Sequence, residues 1–101
     1  MPVTISGRED GLTLTLSGEI DHHGGRAMMK ELDQAISTLL PRRLTLDLRG
    51  VTFMDSSGIA LLMGAKRGMD RLGGTLRVVS IPAQPRKVLD TAGLGRFISL
   101  E

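Results

Sequence analysis

Apolar and polar residues alternate at Leu12, Leu14 and Leu16, a period of two that predicts a half-buried strand over residues 12–16. A shorter apolar run at residues 3–5 precedes it across a polar turn at residues 8–11. Together they predict a β-hairpin. From residue 26 to 40 the period lengthens. Met28, Leu32, Ala35, Ile36 and Leu39 recur at helical spacing, and Pro41 stops the helix. Leu44, Leu46 and Leu48 return to a period of two. Residues 57–72 read as a second helix closed by Gly73-Gly74, and residues 76–80 as a strand. A short helix follows over residues 84–91, with Pro85 in its first turn and Gly93 at its end. Residues 97–100 read as a terminal strand or extended tail.

Strands alternating with helices after an opening hairpin predict an α/β fold. The expectation is a single domain over residues 1–101, with a mixed sheet of four to five strands and helices packed mainly on one face. In such sheets, functional groups gather where strands end and loops begin. The loop after Leu16 carries Asp21, and the loop after Leu48 carries Asp55 and Ser56. If the two strands are neighbours, both loops lie on one edge and form one site.

Composition narrows the function classes. The chain of 101 residues has two Phe, no Trp, no Tyr and no Cys. That removes disulfides, thiol nucleophiles and Cys-ligated metals. No apolar run approaches the ~20 residues that span a bilayer, and no signal peptide is visible, so the expected location is cytoplasmic, without membrane association. The pI of about 9.7 suggests nucleic acid, but the net charge is only +2. With few groups titrating near neutrality, a small surplus drags the pI upward. The basic residues are scattered and no aromatics interleave with them, so direct nucleic-acid binding is not expected.

Candidate chemistry concentrates in Asp55-Ser56-Ser57-Gly58, between a strand and a helix. The plain reading is a helix cap, since Asp and Ser are preferred there. The functional reading is a serine presented for phosphorylation at a helix N-terminus. Catalytic readings fit poorly. Gly58 and Gly64 lack the spacing of a phosphate-binding loop, and Gly-x-Ser-x-Gly is absent around Ser56. Asp21-His22-His23 has no further ligand motif to support a metal. The expectation is therefore no catalytic residue, no metal and no cofactor. On a helical wheel Leu61, Leu62, Ala65, Met69 and Leu72 form the stripe that should face the sheet, whereas Ile59 and Met63 lie toward its other margin. They either widen the core contact or form an apolar patch beside Ser56 for a partner.

Ser17-Gly18-Glu19-Ile20-Asp21, Phe53-Met54-Asp55-Ser56-Ser57-Gly58 and Thr91-Ala92-Gly93-Leu94 together resemble the STAS domain family, in particular the bacterial anti-sigma factor antagonists. The resemblance runs over residues 3–100. It implies a protein whose unphosphorylated form binds an anti-sigma factor that is also a serine kinase, and so frees the sigma factor. It further implies phosphorylation at Ser56, which ends that binding, and a PP2C-type phosphatase that restores it. The implied partner surface comprises Asp21, Asp55, Ser56, Ser57, Gly58, Ile59 and Met63. The alternative is a STAS scaffold in a transport or sensory complex that controls no sigma factor. Two features depart from the family pattern: Gly24-Gly25 where helix-starting polar residues are usual, and Gly64 and Gly68 inside the motif helix.

Overall fold

The two runs of alternating leucines become neighbouring strands at the centre of a sheet. The computed structural model describes residues 3–8 and 11–101. Strand β1 (Val3–Arg8) pairs antiparallel with β2 (Gly11–Ile20), as the hairpin reading requires. Residues 9 and 10 of the expected turn lie outside the described residues. β2 then pairs in parallel with β3 (Arg43–Met54), β3 with β4 (Thr75–Val79), and β4 with the short β5 (Ser99–Leu100). The strand order is β1-β2-β3-β4-β5. Three helices connect the parallel strands: α1 (His22–Leu39), α2 (Ser56–Arg71) and α3 (Ala83–Thr91). Each crossover steps in the same direction along the sheet. Right-handed connections of that kind put every helix on one face.

The burial pattern shows which face is covered. Leu12, Leu14, Leu16, Leu44, Leu46, Leu48, Leu76 and Val78 are buried. They meet Met28, Leu32, Ala35 and Ile36 of α1, Leu61, Leu62, Ala65 and Met69 of α2, and Leu89 of α3 in one core. Thr13, Thr15, Thr45 and Arg77 point the other way and stay partly or fully exposed. Asp47 is the exception on that face, with only 3% of its surface exposed. Its carboxylate accepts from the Arg49 amide at 3.0 Å and from Arg49 Nε at 2.8 Å. The Arg49 side chain holds the Asp47 pKa below the usual carboxylate value.

β2 and β3 run well past the alternating leucines. The register steps from Thr15↔Asp47 to Ser17↔Gly50, and again from Gly18↔Val51 to Glu19↔Phe53. Each step inserts one extra residue into β3. Such bulges break the alternation, and the period-two pattern therefore ends before the strands do.

Two helix assignments are corrected. α1 begins at His22 rather than residue 26, with Asp21 as its N-cap, so Gly24-Gly25 lie inside its first turn. A Cβ on Gly24 would come within 2.6 Å of the Glu19 carbonyl oxygen. The glycine is there because the helix start crosses the end of β2 closely. Leu72 does not belong to the core stripe of α2: it is 41% exposed. The helix ends at Arg71, and Gly74 N–H closes onto the Met69 carbonyl at 2.9 Å, which turns Leu72 outward. The tail also holds a single 3-10 turn (Leu94–Arg96) before β5.

Candidate functional site

β2 and β3 end side by side, since Ile20 and Met54 are register partners. Each strand passes directly into a helix through one aspartate. Asp21 caps α1, its Oδ1 accepting from Gly24 N at 2.7 Å and His23 N at 3.1 Å. Asp55 caps α2, its Oδ1 accepting from Ser57 N at 2.7 Å. The Asp55 amide donates to the Ile20 carbonyl at 3.2 Å and links the two strand ends. The hydrogen bond from the Gly24 amide is the main cause that lowers the pKa of Asp21. Both caps satisfy amide donors that a helix start leaves unpaired.

Asp-Ser-Ser-Gly thus has a separate physical reason at each position. Asp55 is the cap. Ser56 opens α2 and is exposed, whereas Ser57 is half-buried. A Cβ on Gly25 of α1 would sit 3.2 Å from the Ser57 Cβ, so Ser57 is held where the two helix starts approach. Gly58 is buried against Met54, and a Cβ there would lie 2.3 Å from the Met54 Cγ. Only glycine leaves room for α2 to begin directly over the end of β3. The first-turn amides of α2 are largely occupied: Ser57 N by the Asp55 carboxylate and Gly58 N by the Asp55 carbonyl at 2.9 Å.

A groove of about 390 Å³ opens beside Ser56, between α2 and α3. Asp55, Ser56 and Ile59 form one wall; Gln84, Lys87, Val88, Thr91 and Ala92 form the other. Ile59 and Met63 are both half-buried and pack against the core. Ile59 also lines the groove with Ser56, whereas Met63 is not among its lining residues. Asp21 stands on the α1 side of the paired strand ends, and its carboxylate is engaged by its own helix. His22 and His23 are exposed. Among the described residues no group of three His, Cys, Asp or Glu gathers as a metal site would need, and no helix is long and apolar enough to cross a membrane.

The α3 wall was not anticipated as part of the site. Its most specific member is Gln84, which exchanges two hydrogen bonds with the backbone of Met54. A contact between residues 30 apart in sequence leaves no local signal.

A family model described as "Mlab, STAS domain" matches residues 3–100. The chain belongs to the STAS domain family. Among its relatives, an anti-sigma F factor antagonist of Paenibacillus polymyxa is 30% identical over 89 residues, covering 88% of this chain and 76% of that protein. The fold matches the anti-sigma factor antagonist SpoIIAA in its unphosphorylated form, with a TM-score of 0.81, 24% identity, and coverage of 98% of this chain and 87% of that one. It also matches the Bacillus cell fate determinant SpoIIAA in the phosphorylated form, with a TM-score of 0.72, 24% identity, and coverage of 98% and 90%. The STAS architecture accounts for the mixed five-stranded sheet and the placing of both strand-to-helix loops on one edge.

Proposed function

We propose that this STAS domain is an anti-sigma factor antagonist switched at Ser56. Its unphosphorylated form binds an anti-sigma factor that is also a serine kinase and releases the sigma factor. That kinase then phosphorylates Ser56, the antagonist dissociates, and a PP2C-type phosphatase resets it. The observation that carries this reading is the position of Ser56: exposed, at the start of α2, on the rim of an apolar groove. Relatives named as antagonists, and a structural neighbour solved both with and without its phosphate, support it.

The chemistry of the switch follows from the site. A phosphate adds about −1.5 to −2 charges at neutral pH. The Asp55 carboxylate beside Ser56 repels it, and the Ser57 and Gly58 amides of the first turn are already occupied. The phosphate therefore projects toward the groove, and a partner seated there must bury charge. Leaving such charge uncompensated costs several kcal/mol, roughly a thousandfold in affinity. The patch that binds comprises Ser56 with Asp55, Ser57 and Ile59, flanked by Asp21 and Met63, and Gly58, buried against Met54, holds the turn beneath it.

The test uses the serine-kinase anti-sigma factors encoded in the same genome, each purified and incubated with the protein, ATP and Mg²⁺. Mass spectrometry should find one phosphate, on Ser56. Ser57→Ala should still be labelled, whereas full labelling of Ser56→Ala would sink the assignment. Ser56→Asp should lose binding about a thousandfold while its melting curve stays within a few degrees of the parent.

A second reading, a STAS scaffold of a transport or sensory complex, is favoured by one observation: the matching family model is named for Mlab rather than for a sigma switch. A kinase gene beside this one argues for the switch. Stable co-purification with a multi-subunit complex, with no labelling by any of the kinases, argues for the scaffold.

A further inference from the structure

Met54 is the last residue of β3, and on one side it has no strand to meet. β4 pairs with β3 only from Arg43 to Asp47, whereas β2 follows β3 as far as Met54. On the β2 side the backbone link is made by Asp55, through its bond to Ile20. Met54 turns its own two backbone groups to the vacant side, where the Gln84 carboxamide takes both. Met54 N donates to Gln84 Oε1 at 2.8 Å, and Gln84 Nε2 donates to the Met54 carbonyl at 2.8 Å. One planar amide supplies the donor and the acceptor that the peptide unit of an adjoining strand would have supplied.

Gln84 stands in the first turn of α3 and also lines the groove beside Ser56. Its bond is made to the residue directly before the Asp55 cap. We propose that Gln84 is the positioning residue of this site: its carboxamide fixes the Asp55-Ser56-Ser57 turn against α3 and so sets where Ser56 stands on the groove rim. For its effect on the kinase, the proposal rests on the reading of Ser56 as the phosphorylated residue. A Gln is required because both a donor and an acceptor are used at once. A carboxylate in its place keeps the acceptor, loses the donor, and sets its charge against the Met54 carbonyl.

The experiment measures backbone amide hydrogen exchange by NMR in the parent, Gln84→Ala and Gln84→Glu, and then phosphorylation kinetics with the labelling kinase. The expected result in Gln84→Ala is a local loss of protection, about tenfold or more at the Met54 and Ser57 amides, while Leu46 and Leu61 keep theirs. In Gln84→Glu at neutral pH the Met54 amide keeps its acceptor and its protection, whereas Ser57 loses protection; that loss should reverse as the pH falls through the titration of the new carboxyl, because a protonated carboxyl again donates to the Met54 carbonyl. The kinase should show kcat/KM lowered about tenfold or more, mainly through kcat, as expected for a displaced reacting group.

Unchanged protection at Met54 in Gln84→Ala, or at Ser57 in Gln84→Glu at neutral pH, would overturn the proposal. So would protection lost equally at Leu46 and Leu61, which would mean only a weaker fold, or a loosened turn that is phosphorylated at the parent rate. If Gln84→Ala does not fold, Gln84→Glu retains the bond from the Met54 amide, and the pH-dependent recovery at Ser57 gives the same decision. A parent protein that takes no phosphate would remove the Ser56 reading alone. The exchange rates would still decide the clamp.

Discussion

At Gly58 the volume that a side chain would fill is already taken by Met54, a fully buried residue. Gly58→Ala should therefore cost about 1–3 kcal/mol, as overpacking does, although alanine is the better helix former. Met54→Ala opens a cavity and should cost about 2–5 kcal/mol alone. Because each change relieves the other, the double variant should be more stable than the sum predicts, by about 0.5–3 kcal/mol. Denaturant unfolding of the four proteins measures that coupling. Strict additivity would show that the helix start does not rest on Met54. Ser57 makes a separate contact, with α1. Pressed toward Gly25 and half-buried, it contributes to how α1 and α2 meet, and Ser56 is left as the exposed hydroxyl of the motif.

The helices contain glycines of two kinds, which only their surroundings distinguish. A Cβ on Gly64 would meet the Met29 Cε at 3.7 Å, an ordinary contact, so Gly64→Ala should stabilise the protein by about 1 kcal/mol. Gly24→Ala offers the same gain in propensity but drives a methyl into the Glu19 carbonyl oxygen, and should destabilise. Thermal melts of the two variants should move in opposite directions. Ile59 and Met63 separate in a similar way along α2. Both pack on the core, so truncation to Ala should cost stability in each, up to about 2–5 kcal/mol for a fully buried side chain and less for these half-buried ones. Ile59 also lines the groove beside Ser56, and Ile59→Ala should in addition weaken kinase binding in the folded fraction. Measuring affinity and stability for each variant distinguishes the two. Normal affinity for Ile59→Ala would confine the interface to the loops and α3.

Over the whole molecule, one sheet face carries the helices and the other remains polar, with Asp47 as the buried charge among the described residues. That charge predicts how stability depends on pH. The folded pKa of Asp47 lies below its ordinary value, chiefly because of the Arg49 side chain. Its contribution is therefore complete above the ordinary carboxylate range and is lost as pH falls through the lowered folded value. Asp21 acts in the same direction through the Gly24 amide. Urea unfolding between about pH 6 and pH 3 should show stability falling toward acid. Asp47→Asn should be less stable than the parent at the upper end and converge with it at the lower end. Parallel curves for the two proteins would mean that the ion pair with Arg49 is not what the acid limb reports.

The sequence by itself determined the order of elements, the α/β class and the position of the Asp-Ser-Ser-Gly turn. Those features are written in short-range signals: leucines at a period of two, a helical stripe ended by Pro41, and Gly73-Gly74 closing α2. Three motifs in order carried the family. The ends of the elements were decided elsewhere. β2 and β3 outran their pattern because extra residues in β3 break the alternation, and α1 began early because Asp21 caps it and glycine fits against Glu19. Leu72 left the core because the chain turns at the helix end. The site was legible in part. Asp55 and Ser56 stood out in the chain, but the wall of α3, and the bond by which Gln84 replaces a missing strand, exist only after folding. They join residues far apart in sequence, and no local spacing or propensity encodes which amide will meet an unpaired strand end.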